Sequence, residues 1–269
     1  SLRKLVARGV EVVQPAEGEV ACGEHGQGKL ASVEEIAAAA LGLLGWSKRL
    51  QGRRVLITSG PTREPIDSVR FLSNRSSGKM GAALAKAALW MGAEVTVVSG
   101  PAEVPPPMGA KLLRVETALE MLEAASRVAP EADLIVGVAA VADYRVAEPR
   151  RGKLRRSDEE LVLRLVPNPD VLAELARLAR PGAVLVGFAA EPSEDLDVAR
   201  AKLERKGLHF IAANDVSRPG IGFGSDENEM VLLGRHGPVE RSGVRSKIGC
   251  AKWLLERVAE ALPAGLQTS

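Results

Sequence analysis

The stretch GPTREPIDSVRFLSNRSSGKMG, residues 60–81, decides how this chain is read. It follows a short apolar run, Val55–Thr58, and leads into a helix expected to start near Ser77 and continue to about Trp90. A strand, a long polar connection and a helix N-terminus form a phosphate-binding geometry. The first-turn N–H groups lack intrahelical partners, and the macrodipole adds partial positive charge there. Gly60, Gly78 and Gly81 are expected to let backbone approach a ligand closely. The stretch is not a dinucleotide fingerprint, because no G-x-G-x-x-G follows the first strand. It is not a Walker A loop, because Gly78-Lys79 is followed by Met80 rather than Ser or Thr. On spacing alone it reads equally as an ordinary βα loop with a serine cap.

Outward from that stretch the chain alternates strands and helices. Val55–Thr58, Glu94–Val98, Lys111–Val115 and Asp133–Val138 read as strands, the last a continuous apolar run suited to burial on both faces. Ser77–Trp90, with Met80, Leu84, Ala87 and Ala88 near helical spacing, and Ala118–Val128 read as helices on either side of a proline-rich loop, Ser99–Gly109. Further on, Ala183–Phe188 and Phe210–Ala213 read as strands. Pro169–Ala179 reads as a helix capped by Asn168, Asp195–Lys206 as a helix closed by Gly207, and Lys247–Leu262 as the last helix. Two hairpins interrupt the rhythm: Lys153–Arg156 with Leu161–Val166, and Met230–Gly234 with Val239–Ser242. The expected fold class is α/β: a doubly wound, mostly parallel, Rossmann-like sheet with antiparallel hairpin insertions. Ligands in such folds bind beyond the carboxyl ends of the strands, which points to the loops after Thr58, Val98 and Val138.

At 269 residues the chain has room for one or two domains, and 46% hydrophobic content suffices for a core. Aromatics are only 3%, so that core is built from Ala, Leu and Val. A net charge of +2 is too small to argue for nucleic acid or a membrane surface as partner. No apolar run is long enough to cross a bilayer, and the start SLRKLVARGVEVV lacks a signal-peptide core, so a cytoplasmic location is expected. Cys22 and Cys250 make no disulfide framework, and no Cys/His cluster suggests zinc. Residues 1–50 read as the tail of something larger: a helix Leu2–Arg8, a strand Val10–Val13, a Gly-rich loop and an Ala-rich helix Val33–Leu44. Trp46–Gly52 is the linker to a second unit, residues 51–269.

SNRSSGKMG, preceded by ITSGPTREPID and followed by VAAVADYR, closely resembles the phosphopantothenoylcysteine synthetase family over about residues 51–262. In bacteria that family forms the second half of a bifunctional coenzyme A biosynthesis protein. PAEGEVACGEHGQGKLAS resembles the substrate clamp of the flavin-binding phosphopantothenoylcysteine decarboxylase fused in front of it. The likeness makes Cys22 the counterpart of the clamp's proton donor. It is read as idle here, because the flavin-binding units of that family have no counterpart in this chain and no FMN is expected on it.

The resemblance implies a ligase that activates 4′-phosphopantothenate with CTP and Mg²⁺ and then forms an amide with cysteine. It also implies a homodimer and leaves a flavin-binding decarboxylase as a candidate partner. Negative charge passes through phosphoryl groups in both steps, so cations and backbone donors along the phosphates carry the rate. Lys153, within a basic run of five residues in seven (Arg150, Arg151, Lys153, Arg155, Arg156), stands where the family places a lysine near the α-phosphate. Lys202 and Lys206, four apart on one helical face, match lysines assigned to the nucleotide. Asn74 would handle the acyl-nucleotide, and Arg70 the acid substrate or the intermediate. Ser76, Ser77, Gly78 and Lys79 are candidates for phosphate contacts, whether of phosphopantothenate or of the nucleotide. Gly60, Ala139 and Ala140 would lie against the nucleotide. Asp143 would accept from ribose or base, or neutralise a metal whose ligands the sequence does not name. Asn168, Pro169, Asp170 and Val171 match positions lining the nucleotide, and Phe188 would stack on or border the base. Asn214 ends a strand with an open role. Arg218–Asn228 reads as a Gly-rich lid. His209 and His236 have no partner at catalytic spacing.

Two other classes compete. A nicotinamide-dependent oxidoreductase is disfavoured by the missing glycine fingerprint and by Gly100-Pro101 where an acid should follow the second strand. A non-catalytic clamp or assembly module for a separate flavoprotein draws its support from the Cys22 segment.

Overall fold

The computed structural model describes residues 2–19, 25–31, 33, 36, 39–40, 43, 46–156, 160–191, 196–215 and 225–263. The chain forms two compact units, residues 1–48 and 49–269. Cys22 lies outside the described residues, as do residues 157–159 and 216–224, the latter covering most of the expected lid.

The first unit holds a helix, Leu2–Ala7, and an antiparallel ribbon of Ala16–Glu19 with His25–Lys29. This corrects the sequence reading on two counts. Val10–Val13 is not a strand, and strands form in the Gly-rich stretch read as a loop. A strand exists only where a partner satisfies its backbone groups, and alternation of side chains does not supply one.

The second unit is built on an eight-stranded sheet. Its strands are β1 (Arg54–Ser59), β2 (Glu94–Ser99), β3 (Lys111–Arg114), β4 (Leu134–Gly137), β5 (Val184–Glu191), β6 (Phe210–Asp215), β7 (Val231–Gly234) and β8 (Glu240–Arg241). They lie in the order β8-β7-β6-β5-β4-β1-β2-β3. From β3 to β6 the pairing is parallel, and β7 and β8 continue it antiparallel. The parallel part has the order 3-2-1-4-5-6, which makes it doubly wound, the expected fold class. All five residues of β1 after Arg54 are buried, as a central strand covered on both faces requires.

Four of the helices are α1 (Lys79–Trp90), α2 (Ala118–Ser126), α3 (Val171–Leu178) and α4 (Leu196–Arg205). A fifth, α5 (Lys247–Val258), packs against α1. On the α2/α3 side, Leu56, Val98, Ile135, Leu185 and Ile211 from five adjacent strands share one core with Met121, Ala125, Leu175 and Leu203. Burying each of these side chains other than Ala125 contributes roughly 1.5–3 kcal/mol. Thr117 closes a capping box with Glu120 at the start of α2, which fixes where that helix begins.

Three local readings are corrected. First, the connection after β1 is not all loop, because Arg63–Pro65 pairs with Phe71–Ser73 as a ribbon. Second, the hairpin expected between 153–156 and 161–166 does not form; Leu165–Pro167 pairs instead with Tyr144–Val146. The reason is visible at Leu154, whose N–H donates to Asp67 Oδ2 at 3.0 Å and whose carbonyl accepts from Arg70 Nη2 at 2.7 Å. A residue with both main-chain groups so engaged has none for a ladder. Third, α3 begins at Val171 with Asp170 as its cap, accepting from Ala173 N–H at 3.2 Å. Asn168, expected in that role, is used elsewhere.

Candidate functional site

The strand order reverses between β1 and β4, and a cleft of about 320 Å³ opens there beyond the carboxyl ends. Thr58, Gly137, Ala139, Val141, Ala142 and Asp143 form one wall; Asn168 to Leu172, Phe188 and Lys206 form the rest. The loop after β4 is laced to the loop after β1. Val138 N–H donates to Thr58 O at 3.2 Å and Ala140 N–H to Gly60 O at 2.9 Å. Ala142 N–H donates to Thr62 Oγ1 at 3.0 Å. Thr62 is buried, and the sequence reading passed over it.

Asn74 comes to this loop as well. Its Nδ2 donates to Val141 O at 2.9 Å and lies 3.4 Å from Ala140 O. The amide therefore holds the loop whose Ala139 and Val141 line the cleft, though Asn74 is not itself among the lining residues.

Asn168 pins the opposite wall. Its N–H donates to Asp143 O at 2.8 Å and its Nδ2 to Ala142 O at 2.8 Å. Its Oδ1 accepts from Arg145 Nη1 at 3.2 Å, a contact nothing in the spacing announced. Asp170 caps α3 with one oxygen and pairs with Lys206 Nζ through the other at 2.9 Å. Of the two lysines on α4 and its C-terminal end, the structure brings Lys206 to the cleft; Lys202 is half-buried and is not a lining residue. The end of β6 lies outside what is described at side-chain level, so Asn214 is not placed.

At the first turn of α1 the serine-cap alternative holds only loosely: Lys79 N–H reaches Ser77 Oγ at 3.5 Å, and Ser77 is not the N-cap. The N-cap of α1 is Gly78 at φ 77°, with no side-chain cap. The missing Cβ of Gly81 faces Ser59, where an added carbon would sit 2.0 Å from Oγ. The expectation that Gly81 makes room for a ligand is therefore corrected: it lets α1 sit on β1. Ser76 and Ser77 are half-buried, and Ser77 O accepts the N–H groups of Glu103 and Val104 at 3.2 and 3.3 Å. Lys79 pairs with Asp226 at 2.7 Å and lines a separate cavity of about 390 Å³ with Lys86, Val104 and Lys247. The bond from Lys79 holds Asp226 below the usual carboxylate range, while burial and then Lys79 push the Lys247 ammonium down.

Arg70 lies on Asp67, with Nε 2.9 Å from Oδ2. Burial by itself would raise the Asp67 carboxyl. The bonds from the Arg70 side chain and from Leu154, Val69 and Arg70 N–H outweigh it and hold the group far below the usual range. The sequence offered one faint signal for Asp67, an acid three residues before a base in a turn-forming stretch. Lys153 is exposed beside Leu154 and is not among the residues lining the cleft. His209 Nδ1 accepts from Leu185 N–H at 3.1 Å at the amino ends of β5 and β6, the far end from the cleft. Among the described residues no group of three or more His, Cys, Asp or Glu is arranged to hold a metal ion. No helix of the described residues is long and apolar enough to cross a membrane.

Sheet order and cleft together define a Rossmann-like α/β domain with its site at the point where strand order reverses. The chain belongs to the family described as DNA/pantothenate metabolism flavoprotein C-terminal domain, whose model matches residues 50–262. It is 41% identical over 260 residues to the coenzyme A biosynthesis bifunctional protein CoaBC of Haemophilus influenzae, covering 97% of this chain and 64% of that protein. To the protein of the same name from Vibrio cholerae it is 45% identical over 240 residues, covering 88% of this chain and 60% of that one. The chain thus spans about three fifths of the length of these curated relatives. A crystal structure of the C-terminal domain of CoaBC superposes with a TM-score of 0.68 at 36% identity, covering 80% of this chain and 97% of that one.

Proposed function

We propose that this chain is a phosphopantothenate–cysteine ligase of coenzyme A biosynthesis that uses CTP. The observation that supports the reading most is the convergence of the Ala139–Asp143 loop, the Asn168–Leu172 segment, Phe188 and Lys206 on one cleft, in a chain of this family. The carboxylate of 4′-phosphopantothenate attacks the α-phosphorus of CTP. The bond from that phosphorus to the bridging oxygen breaks, and pyrophosphate leaves. The neutral cysteine amine then attacks the acyl carbon, the acyl–oxygen bond breaks with CMP as leaving group, and the amine gives up its proton as the amide forms.

Phe188 offers a ring for the base, and the exposed carboxylate of Asp143 an acceptor for ribose or base. Lys206 supplies positive charge inside the cleft, where a fixed cation is worth most to a developing phosphate charge. Lys153 serves the α-phosphate, and the first turn of α1 with Ser76, Ser77, Gly78 and Lys79 serves a phosphate group. Asn74 donates to the acyl oxygen by exchanging one of the carbonyls it now holds. Mg²⁺ suits this donor set, because it keeps most of its ligands as water and phosphate oxygens and needs only one or two carboxylates. Asp143 is the candidate, since Asp170 is committed to Lys206 and its helix cap. The ion would neutralise charge on the triphosphate. The family resemblance supports a homodimer, and Phe71, Tyr144 and Leu165 on the two short ribbons are exposed.

The reading is tested by exchange of labelled pyrophosphate into CTP. Exchange that requires 4′-phosphopantothenate supports it; none at saturating substrates, from a folded chain, rejects it.

A further inference from the structure

Asp67 is a buried carboxylate in a chain segment that otherwise lies near the surface; its side chain has no solvent exposure. A buried charge persists only with a full set of donors. Asp67 has one. Its Oδ1 accepts Val69 N–H and Arg70 N–H, each at 2.8 Å. Its Oδ2 accepts both Arg70 Nε and Nη2 and the Leu154 N–H. Arg70 Nη2 closes the loop by donating to Leu154 O at 2.7 Å. One acid and one base, three residues apart, grip both main-chain groups of a residue more than eighty positions downstream.

Residues 151–156 belong to no helix or strand. Around Leu154, Arg151, Lys153, Arg155 and Arg156 are exposed. The grip on Leu154, with Arg150 N–H donating to Ile66 O at 3.0 Å, supplies the anchoring that a sheet ladder would otherwise give.

We propose that Asp67 is a positioning residue that, through Arg70 and the backbone of Leu154, fixes the segment carrying Lys153 and so sets where that ammonium stands. The chemical half of this statement rests on the ligase reading; the anchoring half does not. A carboxylate is required because an amide at position 67 would turn its N–H₂ group toward donors in either orientation, the guanidinium and Leu154 N–H in one and the Val69 and Arg70 N–H groups in the other. The acid also keeps Arg70 folded back onto the segment rather than extended into solvent.

The test has two readouts. The first is hydrogen exchange of the Leu154 amide in the intact chain, which needs no activity. The amide is expected to exchange at least tenfold slower than those of Lys153 and Arg155, and Asp67→Asn is expected to abolish the difference. Exchange at the rate of its neighbours in the unaltered chain overturns the anchoring. The second is a double-mutant cycle on CTP–pyrophosphate exchange. Asp67→Asn is expected to lower kcat on the order of a hundredfold with little change in KM for CTP. Combined with Lys153→Ala it is expected to cost no more than Lys153→Ala alone, because the acid acts through the lysine. Multiplying losses overturn the positioning role even if Leu154 is protected. If Asp67→Asn does not fold, Leu154→Pro removes the gripped N–H, leaves the acid in place and carries the same cycle. Absence of CTP–pyrophosphate exchange in the unaltered chain overturns the ligase reading and the chemical half with it, while hydrogen exchange still decides the anchoring.

Discussion

Lys206 Nζ stands 2.9 Å from Asp170 Oδ2, and the other oxygen of Asp170 caps the helix that forms one wall of the cleft. A single carboxylate thus sets the start of α3 and holds the cation proposed above to serve the nucleotide. Both side chains are partly exposed, so the pair itself contributes at most about 1 kcal/mol. The cap accounts for more. Asp170→Ala is expected to lower stability by roughly 1 kcal/mol in urea unfolding, and Asp170→Asn by only a few tenths, because asparagine caps as well. Lys206→Ala is expected to leave stability nearly unchanged and to raise KM for CTP roughly tenfold. Equal KM for CTP in Lys206→Ala and the unaltered chain would remove the lysine from the nucleotide site.

Gly81 sets how closely α1 approaches β1. An added Cβ would lie 2.0 Å from Ser59 Oγ and 2.6 Å from Ser59 Cβ, and Ser59 sits in the sheet where it cannot retreat. Gly81→Ala is expected to destabilise by about 1–3 kcal/mol, since overpacking at such a contact displaces backbone. Ser59→Gly in the same chain is expected to recover most of that loss. A melting temperature unmoved by Gly81→Ala would show that the helix shifts at no cost.

His209 gives the fold a pH dependence of definite sign. Burial, and then the nearby Arg235, hold its imidazole below the usual value of 6.5. Its Nδ1 is already an acceptor for Leu185 N–H, so the neutral ring is the one that fits. The unfolded chain binds a proton near 6.5 and the folded chain does not until lower pH. Stability is therefore present in full above that value and declines as pH falls below it. The urea midpoint is expected to drop between pH 7.5 and 5.5, and His209→Gln to flatten that part of the profile. A slope identical in the two proteins would assign the effect to other groups.

Asn74 is expected to matter more for the second half-reaction than for the first. Asn74→Asp places an acceptor against the Ala140 and Val141 carbonyls that the amide now bonds, and removes the donor proposed for the acyl oxygen. In single-turnover experiments breakdown of the acyl-cytidylate is expected to slow more than its formation. Equal loss in both steps would reduce Asn74 to a brace for the loop.

The fold was legible where one strand or helix carried its own signal. The apolar runs of β1 and β4, the spacing of Leu84, Ala87 and Ala88 on α1, and Gly207 after α4 need no distant partner to be understood. The loops after β1 and β4 followed from that order, and they meet where the strand order reverses. What stayed hidden depends on who meets whom. Leu161–Val166 alternates as a strand should, but its expected partner had surrendered the main-chain groups of Leu154 to Asp67 and Arg70. Asn168-Pro169 has the form of a helix start, yet the loop carrying Ala142 and Asp143 claims Asn168 and leaves the cap to Asp170. Thr62 and Asp67 lie inside the stretch that decided the reading. Thr62 bonds Ala142, and Asp67, besides its neighbours Val69 and Arg70, bonds Leu154; nothing in the local pattern names those partners some eighty residues away.

The proposed ligase activity is tested most directly by pyrophosphate release from CTP and Mg²⁺ with 4′-phosphopantothenate, measured with and without cysteine and with ATP in parallel. CTP-dependent release is expected, limited to about one equivalent per site without cysteine and sustained once cysteine is added. Release with ATP alone would keep the ligase and contradict the nucleotide. No release with either nucleotide from a folded chain would contradict the ligase itself.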